Sequence, residues 1–244
     1  MKSLFLLLPF LCAAALAQQQ TANGRKELTR FDSLKDGDLV FIASSTDRAG
    51  LIQKLTHSEY SHCGIIFRDA EGKARVYEGA GANSDTHKTI NQWQEDESTS
   101  DNGVKASPLH KVYARRLTVG LTPPQIRTLT DEAAKLHHTP YDRAFQMGDP
   151  HDAKAGRKHV YCSELIYRAF QSIGIELGTP RPFRYYYDRA GKAEQKEMDH
   201  QLNSADVNKI RSPEGPYRQD EFVISPEDVY VSDRLEDVAD ETSN

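Results

Sequence analysis

Two short apolar segments joined by a glycine-bearing turn constrain this chain most. Cys63–Phe67 and Ala74–Tyr77 are rich in β-formers, and Asp69–Lys73 between them holds Gly72. Such segments on either side of a turn predict a β-hairpin. Two strands alone are barely stable in water, so the hairpin must belong to a larger sheet. Its parity decides which side chains meet. A three-residue loop, with Gly72 in the left-handed conformation such loops prefer, puts His62 and Glu78 on the same face. They are then opposed or one diagonal step apart, within about 5–8 Å at Cβ. An even-length loop would separate them. The same alternation turns Cys63 away from the His62 face.

Other segments supply the rest of the layers. Leu39-Val40-Phe41-Ile42 follows the turn Lys35-Asp36-Gly37-Asp38 and predicts a buried strand. Val112–Leu117 and Phe222-Val223-Ile224 are further strand candidates. Leu51, Ile52 and Leu55 mark a short helix over Ala49–Thr56. Thr122-Pro123-Pro124 opens a helix to about His138, with Ile126, Leu129, Ala133 and Leu136 as its buried stripe. The strongest helix is Tyr161–Ile173. Leu165, Ile166, Ala169, Phe170 and Ile173 share one side, and Gly174 stops it. Asn83–Lys105 carries little periodicity and is expected as a long loop anchored by Trp93, and Phe183–Arg218 is polar and aromatic by turns, without a clean pattern. No internal repeat is present. Together these segments predict an α+β domain.

The two ends do not contribute to that domain. Met1–Ala17 has Lys2, an apolar run from Leu4 to Leu16 and the small-x-small Ala15-Leu16-Ala17, the pattern of a secretory signal peptide. The alternatives are an uncleaved anchor or lipidation at Cys12, though Leu11 is bulky where a lipobox needs a small residue. Residues 18–33 are polar, 34–235 form the domain, and 236–244 are an acidic tail expected without structure. No second apolar run of spanning length follows, so the chain is expected to be exported, periplasmic or secreted. The formal net charge of −5, with cations scattered, excludes a nucleic-acid footprint.

Three cysteines are present, and Cys12 leaves with the signal. In an exported protein the remaining two could form a disulfide. The alternation argues instead for Cys63 as a buried small hydrophobe. Cys162 stands in the first turn of its helix, where unpaired amide N–H groups and the helix dipole favour thiolate. A histidine beside it would lower its pKa further, and its own N–H could bind a developing oxyanion. His62 is the base candidate, and Glu78, placed by the hairpin, would fix its tautomer. Taken singly, each residue also has an ordinary structural reading. The nine histidines show no zinc spacing, and no Gly-x-Ser-x-Gly elbow is present, so neither a metal nor any other cofactor is expected.

These residues sit in a familiar order. Gly37-Asp38-Leu39-Val40-Phe41 comes first, then Ser61-His62-Cys63-Gly64-Ile65 and Val76-Tyr77-Glu78. Pro140-Tyr141-Asp142, Tyr161-Cys162-Ser163-Glu164-Leu165 and Ile224-Ser225-Pro226-Glu227-Asp228 follow. Together they resemble the YiiX-like branch of the NlpC-type, permuted papain-like cysteine hydrolases, over about residues 34 to 235. The resemblance implies a small antiparallel, barrel-like sheet packed against helices, with the nucleophile at a helix N-terminus. It implies Cys162 as nucleophile, His62 as base and Glu78 as orienting acid. It also implies amide or ester cleavage in a cell-wall peptide, an acyl–amino-acid conjugate or a lipid-like substrate.

Tyr60, Tyr141 and Ser163 are candidates for substrate contact, and Tyr185-Tyr186-Tyr187 could line the cleft, ordinary packing being the other reading for the tyrosines. The expectation is an exported thiol hydrolase acting through a Cys162 thioester. The alternatives are a non-catalytic binding module on the same fold and a lipid esterase or acyltransferase.

Overall fold

The computed structural model describes residues 25–46, 48–79, 88–142, 145, 147, 159–202 and 221–238. The expected signal peptide at 1–17 lies outside them. The strands are β1 (Glu27–Leu28), β2 (Leu39–Ile42), β3 (His62–Arg68), β4 (Ala74–Tyr77), β5 (Val112–Leu117), β6 (Arg181–Pro182), β7 (Phe222–Val223) and β8 (Leu235–Asp237). The helices are α1 (Ala49–Thr56), α2 (Ile90–Glu97), α3 (Pro123–His137), α4 (Cys162–Gln171), α5 (Phe183–Tyr187), α6 (Lys192–Leu202) and α7 (Pro226–Tyr230).

An antiparallel sheet of six strands runs β1-β5-β2-β3-β4, with β8 also on β5. β1 pairs with Val112 and Tyr113, and β8 with Arg115 to Leu117, so the two share the outer edge of β5 end to end. Successive side chains alternate between the faces. Leu39, Phe41, Cys63, Ile65 and Phe67 pack with Leu129 and Ala133 of α3 and Leu165, Ile166 and Phe170 of α4. Val40, Ile42, Ile66 and Ala114 pack with Trp93 and Ile90 of α2. Both faces of β2 are therefore covered, which is why its sequence is an unbroken apolar run.

Several expectations need correction. The sheet is open rather than barrel-like. One edge is held by β1 and β8. At the other, Val76 N–H donates to Lys88 O (3.1 Å), so the lead-in to α2 covers β4 instead of another strand. The residues expected as a loop over 83–105 contain α2, and the stretch 183–218, which showed no clean pattern, contains α5 and α6. The polar N-terminal segment is ordered from Arg25, whose guanidinium pairs with Glu227 (2.6 Å). The acidic tail is ordered to Val238, because Asp237 accepts from Arg115 (2.8 Å) and Val238 is buried.

The hairpin holds. Ile65 pairs with Tyr77 and Arg68 with Ala74, around a loop of Asp69–Lys73 rather than three residues. That loop is still odd in length, and Gly72 has φ +76°.

Candidate active site

The register leaves Glu78 one diagonal step from His62, and Gly64, opposite it, makes room for the neighbouring Val76 side chain. A Cβ on Gly64 would stand 2.5 Å from Val76 Cγ1 and 3.7 Å from Glu78 Cβ. His62 Nε2 and Glu78 Oε2 are 2.5 Å apart and buried. Trp93 Nε1 donates to the same Oε2 (2.6 Å), and Lys88 Nζ lies 3.6 Å from Oε1. The Glu78 backbone is held in turn by His137, whose Nδ1 lies 2.7 Å from its carbonyl oxygen. The carboxylate is thus gripped by Trp93 of α2 and by Lys88 as well as by its hairpin partner, and the backbone behind it is held by α3.

Cys162 is the first residue of α4, after an extended N-cap, Tyr161. The chain just past β4 crosses this helix start at van der Waals distance. A Cβ on Gly79 would lie 2.7 Å from Tyr161 C and 2.9 Å from Cys162 N. Only glycine allows Glu78 and the Cys162 turn to come this close. With Nε2 on Glu78, Nδ1 is the ring nitrogen left for Cys162, which lies close enough to raise the His62 pKa.

Cys63 does not face away from Cys162, as alternation implied. The face that carries Cys63 is the face on which α4 packs, so the two side chains meet, and neither is in a disulfide. His62 reaches the same sulfur because it is the first residue of β3, at the end of the sheet.

The charges follow from this packing. Hydrogen bonding from Cys63, then His62, outweighs burial and holds the Cys162 pKa well below its ordinary 9.0, with the Ser163 N–H also contributing. Cys63, buried beside that charge, is pushed well up and stays a thiol. Burial would lower His62, but Glu97, Cys162 and Glu78 together raise it well above 6.5. Burial likewise opposes ionisation of Glu78, yet His62, Lys88 and Trp93 lower it to about 2. These shifts all favour a thiolate–imidazolium pair backed by a carboxylate.

The other sequence candidates fall in different places. Ser163 is buried, lines the cavity beside Cys162, and donates to Ile224 O (2.7 Å). Tyr141 is half-buried and bridges to Val160; its phenol is raised well above 10 by burial and by the nearby Cys162 charge. Tyr60 is fully buried against Phe41, Tyr113 and Tyr230, which places it in the core rather than on a substrate surface. Of the three adjacent tyrosines, Tyr186 lines the cavity.

Sequence reasoning did not assign Lys88, Glu97 or His137, and took Trp93 only as an anchor. The signal for Trp93 was its place three residues before Asp96 and four before Glu97 in a segment otherwise polar. His62, Glu78 and Glu97 also offer ligand atoms within 4.8 Å of one another, a donor set that could hold a divalent cation. The His62 Nε2–Glu78 Oε2 separation of 2.5 Å is that of a short, charge-assisted hydrogen bond.

A family model described as permuted papain-like amidase enzyme, YaeF/YiiX, C92 family, matches residues 33–239. The chain belongs to this family. Membership places it among papain-like amidases, a class of hydrolases, and bears out the resemblance read from the motifs. The uncharacterized protein YiiX of Escherichia coli strain K12 is 28% identical over 209 residues, covering 84% of this chain and 86% of that protein. A crystal structure described as metalloprotein YiiX from Escherichia coli O157:H7 superposes with a TM-score of 0.65 at 25% identity, covering 86% of this chain and 98% of that one.

The Ile224-to-Asp228 motif has a structural part in this C92 member. It is a capping box, with Ser225 Oγ accepting from Asp228 N–H (3.1 Å), and it seats α4 through bonds from Ile224 to Tyr161 and Ser163.

Proposed function

We propose that this C92-family chain is an exported cysteine hydrolase of the amidase type. Cys162 is the nucleophile, His62 the proton carrier and Glu78 the residue that orients the imidazole. The observation that carries this reading is that His62 bonds Glu78 on one side and Cys162 on the other, with Cys162 at a helix start.

The Cys162 thiolate adds to an amide or ester carbonyl, and the developing oxyanion lies beside the free N–H groups of the first α4 turn. The imidazolium gives its proton to the leaving amine or alcohol as the C–N or C–O bond breaks. A thioester and neutral His62 remain. His62 then takes a proton from water, whose oxygen attacks the thioester and releases the acid. Glu78 keeps Nε2 protonated throughout, so that Nδ1 exchanges the proton with substrate. Cys162→Ala should lower turnover by at least about 10³-fold while the thermal transition is kept. Undiminished turnover in that variant would end the reading, and a fold that binds without turning over would favour the non-catalytic module. Export is part of the proposal: the mature protein should begin at Gln18, as N-terminal sequencing of secreted material would read.

A second reading has its own observation, the His62–Glu78–Glu97 donor set together with a relative described as a metalloprotein. A divalent cation there would be held by His62, Glu78 and Glu97 and would supply Lewis acidity. It would also displace the Nε2 proton by which Glu78 orients the imidazole. In the thiol mechanism added zinc should therefore inhibit and a chelator should not. Loss of turnover on chelation, restored by the metal, would favour the second reading.

A further inference from the structure

Cys63 is a second sulfur nucleophile, and the proposed reaction does not use it as one. It is the second residue of β3, buried, and paired across the sheet with Phe41. It shares a core with Leu165 and Ile166 of α4. A small apolar residue would fill the same position. The chain instead sets a second thiol against Cys162. The Tyr141 phenol lies near both sulfurs. Of the three cysteines in the sequence, Cys12 belongs to the expected signal peptide, so these two are the ones a mature chain would carry.

The two sulfurs differ in access. Cys162 lines the cavity at the start of α4, and Cys63 is not among the described residues that line it. A small oxidant entering there meets Cys162 first. The thiol already touching any oxidised form of Cys162 is then Cys63, from its own chain. Both cysteines stand at the beginning of their elements, so the movement that brings touching sulfurs to bonding distance falls on terminal turns.

We infer that Cys63 is a resolving thiol, and that Cys63 and Cys162 form a reversible disulfide when the protein meets a hydroperoxide. The bond itself does not depend on the hydrolase reading; only the loss of turnover it would cause rests on that reading. With hydrogen peroxide the Cys162 sulfur attacks one oxygen, the O–O bond breaks, and the departing hydroxide takes the His62 proton and leaves as water. Cys162 is then a sulfenic acid. The Cys63 sulfur attacks it, the S–O bond breaks, and the displaced hydroxide leaves with the Cys63 proton as a second water. Two thiols have lost two electrons, and one peroxide has gained them. A dithiol reverses the change. Its first sulfur attacks Cys162 and frees Cys63 as a thiol, and its second displaces Cys162, whose proton returns to His62 as the dithiol departs as its own disulfide. Without Cys63 the sulfenic acid is open to further oxidation, to sulfinic and sulfonic acids that a dithiol does not reduce.

The test is a mass measurement on the purified full chain. Reduced protein is treated with a small excess of hydrogen peroxide, denatured, alkylated with iodoacetamide and digested. Wild type should yield a peptide pair joining Cys63 to Cys162, lighter by two hydrogens than the reduced peptides together, and dithiothreitol should abolish it. Turnover should fall at least about tenfold as the bond forms and return with dithiothreitol. In Cys63→Ser the same treatment should leave Cys162 as sulfinic or sulfonic acid, and dithiothreitol should restore less than about a tenth of that variant's own untreated turnover. Cys63→Ala replaces it if the serine variant does not fold, and the wild-type mapping needs neither.

Sulfinic acid at Cys162 of wild type with Cys63 still open to alkylation would overturn the resolving role. So would a disulfide running to Cys12 or to a second chain, two thiols left intact by the peroxide, or equal recovery of wild type and Cys63→Ser. A Cys63–Cys162 bond with undiminished turnover would support the modification and overturn Cys162 as the nucleophile. In a chain that turns over no amide or ester, the mapped peptides still decide for or against the bond.

Discussion

The Cys162 sulfur is surrounded by three donors, His62, the Ser163 amide and the Cys63 thiol, of which Cys63 has the largest effect on its charge. A buried S–H that stays protonated is a fixed donor beside an anion, and a hydrogen bond to a charged group is worth about 1.5–3 kcal/mol. At about 1.4 kcal/mol per pKa unit, losing it should raise the Cys162 pKa by roughly one to two units. The measurement is the pH profile of iodoacetamide alkylation, mapped to Cys162 by peptide mass. Wild type should react at pH 6 at least about tenfold faster than free cysteine, because its thiolate is already formed. Cys63→Ala should move the profile to higher pH, while Cys63→Ser, which keeps a donor, should not. A profile indifferent to Cys63→Ala would remove this residue from the account. The sequence made Cys63 an inert neighbour because strand alternation says only which face a side chain takes. It does not say on which face a distant helix will land.

Gly79 shows how closely the end of the hairpin and the start of α4 are joined. Its missing Cβ would meet Tyr161 C at 2.7 Å and Cys162 N at 2.9 Å, shorter than real carbon contacts tolerate, so a side chain there must move the Cys162 turn. A shift of about 1 Å in a reacting group can cost on the order of 10²-fold in rate. Gly79→Ala should lower kcat by about that much with a smaller change in KM. Gly50→Ala, on α1 with no atom within 4 Å of the added Cβ, should leave kcat unchanged and serves as the control. Equal effects of the two would contradict the close-approach argument.

The hairpin, β2 and α1 were legible because each carries its own apolar signal, an unbroken run in β2 and a helical spacing in α1. The α2 helix was not. Its eight residues bury only Ile90 and Trp93, too few to show a period. Its sequence mark is instead the capping box Thr89-x-x-Gln92, in which Gln92 N–H reaches Thr89 Oγ1 (3.3 Å). The short β1 and β8 were hidden for another reason. Two or three residues carry no pattern, and they form because the outer edge of β5 needs backbone partners.

The buried charges tie stability of the whole domain to pH, and the signs can be worked out group by group. Glu78 is depressed from 4.5 to about 2, so its contribution is fully present above pH 4.5 and is lost as pH falls through 2. That shift corresponds to roughly 3 kcal/mol. Cys162 is depressed from 9.0, so the unfolded chain holds a proton there that the folded one lacks, and stability rises with pH above its folded pKa. His62 is raised above 6.5, so its contribution is full below 6.5 and fades as pH climbs through its folded value.

Between 6.5 and 9 the last two oppose each other. The folded pair holds one proton on imidazole, and the unfolded pair holds one on sulfur. The slope there should be near zero, with an acid limb below and a fall above. Urea midpoints from pH 3 to 9.5 should trace this plateau. Cys162→Ala should leave the limb below pH 4.5 in place and tilt the plateau downward toward alkali, since the opposing Cys162 contribution is then gone while His62 stays raised by Glu97 and Glu78. Glu78→Gln should remove the limb below 4.5. An unchanged profile in both variants would mean that the thiolate–imidazolium–carboxylate arrangement is not the charge state of the folded protein.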